Sequence, residues 1–381
     1  MPIALCAAVF RVGLHWIKLS RGRAPGFAAA CYVAEEPEKP KAMSTSATRT
    51  STSTSTSTSA STSTSASTRS ITSRIDAVTG IPARYLSDRL PAPRAVKIEL
   101  TSQCNYRCGF CAHRLRMKNR GAMERAFYER VVGEMVDAGV EELGVFYIGE
   151  SFMCRWLPEA IAYAKKRGIR YVFLTTNGSL STPARVKACM EAGLDSLKFS
   201  MNNADEEQFK EIAAVKPKLW RDAIANLKAA WKVREEGGYD CGLYASSIQY
   251  DGEQQEKMMA LVEEIRPYVD EHYWLPLYSM GSLATRREEE LGYRPIAGNQ
   301  GRIGALREPL PCWSAFTEGH ITYDGKLSAC CFDAGDKWVM ADLTKVPFLE
   351  GWNSEAFTAL RRAHLRKDVT GTICESCVAY R

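Results

Sequence analysis

The sequence has no apolar run of the ~18–20 residues a membrane-spanning helix needs, so no transmembrane segment is expected. It also lacks the basic n-region of a signal peptide. The opening "MPIALCAAVF" is apolar but Arg11 interrupts it, and an unstructured extension is expected there instead. Met43 precedes a Ser/Thr tract and is an alternative start. Charge is missing where nucleic-acid binding would need it. The net charge is +6, but residues 1–93 hold 11 Lys/Arg against 5 Asp/Glu, leaving 39 of each sign in the rest. A neutral body has no general attraction for a phosphate backbone, so neither a nucleic acid nor a membrane is expected as partner. A disulfide scaffold is excluded too. Such frameworks belong to small secreted domains, whereas these 13 cysteines are clustered in a 381-residue chain with 45% hydrophobic residues. Clustered thiols in such a chain point to metal binding in a reducing, cytoplasmic setting.

Residues 44–70 are Ser or Thr at 22 of 27 positions. Such a tract cannot offset its ordering entropy, and residues 1–93 are expected to form a disordered extension. Beyond it the pattern is regular. Val96, Ile98 and Leu100 alternate with polar residues as in a strand. Further strands are expected at 142–148, 171–176, 196–201, 242–248 and 272–277, with helices at 124–138, 157–167, 183–192, 217–236 and 253–265. Repeating βα units imply parallel strands with right-handed crossovers. The fold class is α/β: either a partial (β/α)6 TIM-like barrel or a doubly wound sheet over 94–285, then a small cysteine-rich region over 286–381. In either case the loops after the strands' C-terminal ends form the active face.

Those loops carry the motifs. Cys104, Cys108 and Cys111 follow the first strand in "CNYRCGFC"; "YIGES", "TTNGS" and "SMNN" follow the next three. Three thiolates are one short of a structural zinc set, unless His113 completes it. They suit a four-iron cluster with one iron left open to an exogenous chelator.

The spacing C-x3-C-x2-C after the first strand of a βα repeat resembles the radical S-adenosylmethionine (radical SAM) superfamily, over residues 95 to about 280. The resemblance implies a [4Fe–4S] cluster on Cys104, Cys108 and Cys111 whose open iron is chelated by SAM. It implies reductive cleavage of SAM to a 5′-deoxyadenosyl radical that abstracts hydrogen from an unreactive C–H bond. Phe110 resembles the family's aromatic near the adenine. Ile148-Gly149-Glu150-Ser151 resembles the Gly-Gly-Glu-Pro motif that binds the SAM amino group, with Gly149 and Glu150 retained and the first Gly and the Pro replaced. Asn177 and Ser200 resemble polar positions near the SAM carboxylate and ribose.

A second cysteine group comprises Cys312, Cys330, Cys374 and Cys377. By chemistry alone these four thiolates fit a zinc ion or an iron–sulfur cluster equally. Cys-x17-Cys with Gly-x4-Cys, a helix containing Trp352 and a late C-x2-C resemble the twitch domain, the single-cluster relative of the SPASM domain. This implies one auxiliary [4Fe–4S] cluster, and the end of the chain four residues after Cys377 argues against another. Cys331 adjoins Cys330 and could compete with it, but reads first as a packing residue. Cys189 and Cys241 read as buried small hydrophobes, and Cys154 as structural.

A four-cysteine cluster has no open iron, so its natural work is electron transfer. The implied function is a radical SAM oxidoreductase that takes hydrogen from a sugar- or cyclitol-like alcohol and passes an electron to the auxiliary cluster. The alternative is a peptide-modifying enzyme forming thioethers, epimers or cross-links. A non-catalytic iron–sulfur or zinc scaffold would not need the Gly149-Glu150 and Asn177 loops. Partners are a small molecule or peptide and an electron donor such as flavodoxin or ferredoxin. The catalytic base is unassigned; Arg302, Tyr244 and Gln249 are its nearest candidates.

Overall fold

The structure is a computed structural model, and it describes residues 70–116, 120–283, 289–333 and 337–377. The Ser/Thr tract up to Arg69, Cys6 and Cys31 lie outside the described residues.

Six parallel strands alternate with helices. They are β1 (Ala95–Ile98), β2 (Glu142–Gly144), β3 (Tyr171–Thr176), β4 (Ser196–Ser200), β5 (Gly242–Ile248) and β6 (Glu271–Leu275). In space they run β6-β5-β4-β3-β2-β1. A doubly wound sheet reverses direction at a switch point. This order never reverses, so right-handed crossovers place every connecting helix on one face and the sheet is a partial barrel. Val96, Ile98, Val172, Leu174, Leu197 and Phe199 point to the helix side and join one core with Val131, Val132 and Met135. Lys97, Phe173, Thr175, Ser196 and Lys198 point to the concave side and line a cavity there.

The expected helices are present as α2 (Arg125–Ala138), α3 (Leu157–Arg167), α4 (Pro183–Glu191), α6 (Lys218–Gly237) and α7 (Gly252–Ile265). One helix was missed. α5 (Glu206–Ala213) has only eight residues, but Asp205 caps it through Gln208 N, a signal readable as Asp followed by the acidic pair Glu206-Glu207.

The structure corrects the expected extent of the disordered extension. Residues 71–93 are ordered, beginning with helix α1 (Ile71–Thr79). Ser70 caps its start, and the Glu271 carboxylate accepts hydrogen bonds from Ile71 N (2.8 Å) and Thr72 N (3.4 Å). Asp76 pairs with Arg302 at 2.6 Å, Arg74 with Glu142 at 2.8 Å, and Val78 O accepts from Thr317 Oγ1 at 2.7 Å. All these partners are distant in sequence, which is why local composition did not reveal the helix. α1 closes the end of the cavity where the strands begin, through Ile71, Ile75 and Val78.

The C-terminal region continues the same sheet. β7 (Glu318–Ile321) runs parallel to β1, then β8 (Lys326–Ser328) and β9 (Val339–Asp342) follow antiparallel. α8 (Phe348–Trp352) and α9 (Glu355–Leu365) cover them. Among the described residues no helix is long and apolar enough to cross a membrane.

Candidate active site

Cys104, Cys108 and Cys111 lie on the loop after β1, partly buried and without disulfides. Main-chain bonds hold the loop: Arg107 N and Gly109 N donate to Ala213 O and Ile212 O at the end of α5, and Cys111 N donates to Cys108 O. Burial pushes the Cys104 thiol up to about 12, with Glu150 adding to the effect. Cys108 is raised by burial and then by Cys111 and Cys104, and Cys111 by burial. Thiols that oppose one another's ionisation and have no cation among them suit a cationic iron–sulfur cluster. Among the described residues no three His, Cys, Asp or Glu side chains converge on a point fit for a single metal ion; cluster ligands each bind a different iron and need no such point. The His113 ring bonds Ser102 O at 2.9 Å.

The second loop is built against the first. A Cβ on Gly149 would stand 2.0 Å from Thr101 O and 2.9 Å from Gln103 O. Only glycine allows that approach, and it lets Glu150 N donate to Gln103 O at 2.7 Å. Glu150 is buried. Its Oε1 accepts from Thr176 Oγ1 (2.8 Å) and Phe152 N (3.1 Å), and its Oε2 from Asn177 N (2.8 Å). Burial raises its pKa, and these bonds partly offset the rise.

Asn177 closes a ring of amides and hydroxyls. It donates to Asn105 Oδ1 (2.8 Å), Asn105 donates to Ser179 Oγ (2.8 Å), and Ser179 Oγ donates back to Asn177 Oδ1 (2.8 Å). Asn177 Nδ2 also lies 4.0 Å from Cys104 Sγ. Three expected loops thus meet around Cys104. Ser200 ends β4, half-buried, followed by Asn202 and Asn203, whose buried side-chain oxygens have no hydrogen-bond partner. Phe110 is half-buried in the cysteine loop. Orphaned acceptors after β4 and a polar ring after β3 are groups that a nucleoside carrying an amino-acid group could use.

The second cysteine group also assembles. Cys312, Cys330, Cys374 and Cys377 line one small cavity with Asn299 and His364. Cys312 N donates to His364 Nδ1 at 3.2 Å, which makes Nδ1 the acceptor and leaves Nε2 to donate to Cys374 Sγ at 3.4 Å. Burial lowers the His364 pKa to about 4, in keeping with this neutral tautomer. His364 was missed; its only signal was one histidine in a helix between cysteines. Cys331 is absent from that cavity and lines the barrel cavity instead. Cys154, Cys189 and Cys241 are buried in the core.

The barrel cavity, about 230 Å³ in volume, is lined by Cys331, beside the second cysteine group, and not by Cys104, Cys108 or Cys111. Phe146, Phe173, Leu275, Trp313 and Phe332 make its accessible wall largely apolar, with Arg74, Lys97, Lys198, Arg302, Glu142, Glu318, Asn299 and Tyr273 among its polar points. Tyr147 ties the Glu150 loop to the second cysteine group, its hydroxyl donating to Cys330 O (2.7 Å) and lying 3.1 Å from Asp333 O. The candidate bases fare poorly. Arg302 is paired with Asp76, Gln249 is exposed, and Tyr244 is buried outside this cavity with its pKa raised by burial.

Residues 98–239 match the Radical SAM superfamily, and residues 312–378 match the SPASM iron–sulfur cluster-binding domain. The chain is 31% identical over 122 residues to a probable GTP 3′,8-cyclase of Methanococcus maripaludis, covering 32% of this chain and 40% of that protein. It is 30% identical over 146 residues to the PqqA peptide cyclase of Granulibacter bethesdensis, covering 38% of this chain and 37% of that protein. The aligned part is thus about two-fifths of either relative. The fold resembles Streptococcus suis SuiB bound to precursor peptide SuiA, with a TM-score of 0.56, 16% identity, and coverage of 77% of this chain and 71% of that one.

Proposed function

We propose that this chain, which belongs to the radical SAM superfamily and carries a C-terminal SPASM-type iron–sulfur domain, modifies a peptide by hydrogen abstraction. When bound, the cluster and SAM supply a 5′-deoxyadenosyl radical, and the auxiliary cluster supplies an electron acceptor. Cys104, Cys108 and Cys111 are the ligands of the first cluster, and Cys312, Cys330, Cys374 and Cys377 those of the second. Glu150 and the Asn177–Asn105–Ser179 ring hold the SAM amino-acid end. Ser200 and Phe110 face its ribose and adenine.

The observation that carries the peptide reading is the wall of the barrel cavity. A polyol needs a hydrogen-bonding partner for each buried hydroxyl. The accessible wall is mostly apolar, through Phe146, Phe173, Leu275, Trp313 and Phe332, and the cations Arg74, Lys97 and Arg302 are already paired with carboxylates, so a sugar or cyclitol would find few free partners for its hydroxyls. It suits a side chain presented by a peptide. The peptide cyclase relative supports the same choice.

The test is anaerobic. Reconstituted protein with dithionite and SAM should form 5′-deoxyadenosine, and a deuterated candidate precursor peptide should pass its label into that product. Label arriving from a cyclitol but from no peptide would refute the proposal.

A further inference from the structure

Four cations line the barrel cavity, and three of them have carboxylate partners. Arg74 pairs with Glu142 (2.8 Å), Lys97 with Glu318 (2.6 Å) and Arg302 with Asp76 (2.6 Å). Lys198 is the exception. Its ammonium reaches Tyr273 OH at 3.2 Å, and it pairs with no carboxylate among the described residues. An ammonium in a largely aromatic cavity whose carboxylates are already paired with other cations is open to an incoming anion. The strand geometry gives the position meaning. Lys198 and Ser200 are alternate residues of β4 and share its concave face. The lysine therefore lies about 6.6 Å along the strand below the proposed SAM contact. A charge at that depth can fix one end of a substrate while the bond to be broken sits a few atoms above it.

We propose that Lys198, aided by the Tyr273 hydroxyl, anchors a carboxylate of the substrate inside the barrel, so that the substrate is a peptide presenting an acidic side chain or a free C-terminus. This rests on the reading that the barrel cavity receives a peptide. Lys198 is a specificity-determining residue, and the neighbouring aromatic walls accept the apolar part of the same side chain.

The test is binding to the anaerobically reconstituted protein with SAM present, by calorimetry. The probes are Ac-Gly-Glu-Gly-NH2, its neutral isostere Ac-Gly-Gln-Gly-NH2, and Ac-Gly-Gln-Gly-OH, whose only carboxylate is terminal. At least one carboxylate probe should bind about ten-fold or more tighter than the neutral one, equivalent to ~1.4 kcal/mol. Which one does so identifies the source of the anion. Lys198→Met and Lys198→Gln should abolish the preference, Lys198→Arg should retain most of it, and all three should keep their iron content and SAM affinity. The proposal is overturned by equal binding of all probes, by binding of none, or by a preference that survives Lys198→Met. A loss of SAM affinity with the preference intact would also overturn it, assigning the lysine to SAM. The readout needs no turnover, so it is distinct from the label-transfer test: a peptide that donates deuterium without needing a carboxylate would leave the peptide function standing and remove this anchor.

Discussion

Replacing Gly149 with Ala tests whether the two loops after β1 and β2 form one unit. The new methyl would lie 2.0 Å from Thr101 O and 2.9 Å from Gln103 O. Both obstacles are main chain, so no rotamer change relieves the contact and one loop must move. Overpacking of this kind costs ~1–3 kcal/mol. The displaced hydrogen bond from Glu150 N to Gln103 O adds ~0.5–1.5 kcal/mol, for a total of about 2–4 kcal/mol. That corresponds to a fall of roughly 5–10 °C in the unfolding midpoint. The same movement carries Glu150 away from Asn177 N and Thr176 Oγ1, so deoxyadenosine formation should fall more steeply than stability. Gly139 provides the control. It follows α2 at φ +95° with nothing within 4 Å of its would-be Cβ. Ala there costs about 1 kcal/mol of backbone strain and should leave SAM cleavage intact. The assay is thermal unfolding and 5′-deoxyadenosine yield of both variants, reconstituted anaerobically. If Gly149→Ala behaves like Gly139→Ala in both readouts, the close packing of the two loops has no functional weight.

Other outcomes follow from the same geometry. Ala at Cys104, Cys108 or Cys111 should abolish SAM cleavage, whereas Ala at Cys374 or Cys377 should spare uncoupled cleavage and stop product formation; equal loss in both sets argues against separate roles. Burial works to raise the Glu318 pKa, but Lys97 and His320 outweigh it and hold the group below its ordinary value. A depressed carboxylate contributes stability above the unfolded value of about 4.3 and loses it as pH falls through the folded value. Below about pH 4 the wild-type urea midpoint should therefore drop more steeply than that of Glu318→Gln, and parallel curves would refute the pairing. At neutral pH, Lys97→Met should cost ~3–5 kcal/mol by stranding a buried carboxylate. Replacing His364 with Leu removes the N–H donor to Cys374 Sγ, which should make the auxiliary cluster's potential more negative; an unchanged potential in voltammetry would deny the bond a role.

What the sequence revealed was what local pattern encodes. The strands at 171–176 and 242–248 coincide with the observed ones because a strand with helices on one face and a cavity on the other turns successive side chains to opposite faces. Cys104, Cys108, Cys111, Gly149, Glu150 and Asn177 were found because each follows a strand end within about a dozen residues. The apolar pattern of "ELGVFYI" extends the second strand to 148, but it ends at Gly144, since the chain leaves the sheet there to bring Gly149 against Thr101. Helix α1 was lost inside the polar extension, because Glu271, Arg302 and Glu142 lie far away in sequence. Lys198 had a signal that went unused: a lysine in "SLKFS", between two core residues of a buried strand.

The pairing of β1 with β7 decides how the two cysteine groups are related. β1 leads directly into Cys104, and the β7–β8 hairpin leads into Cys330. Their strands are locked in register from Ala95 opposite Glu318 to Ile98 opposite Ile321, so the separation of the groups is set by sheet geometry rather than by the connector. Tyr147 adds a second brace from the Glu150 loop to the main chain around Cys330. A substrate in the barrel cavity would touch the base of both braces at once, because Lys97 of β1, Phe146 beside Tyr147, and Cys331 beside Cys330 all line it. In the proposed function, a substrate bound there would rest on the strands that lead into both cysteine groups, and the register of β1 with β7 would fix its placement relative to each.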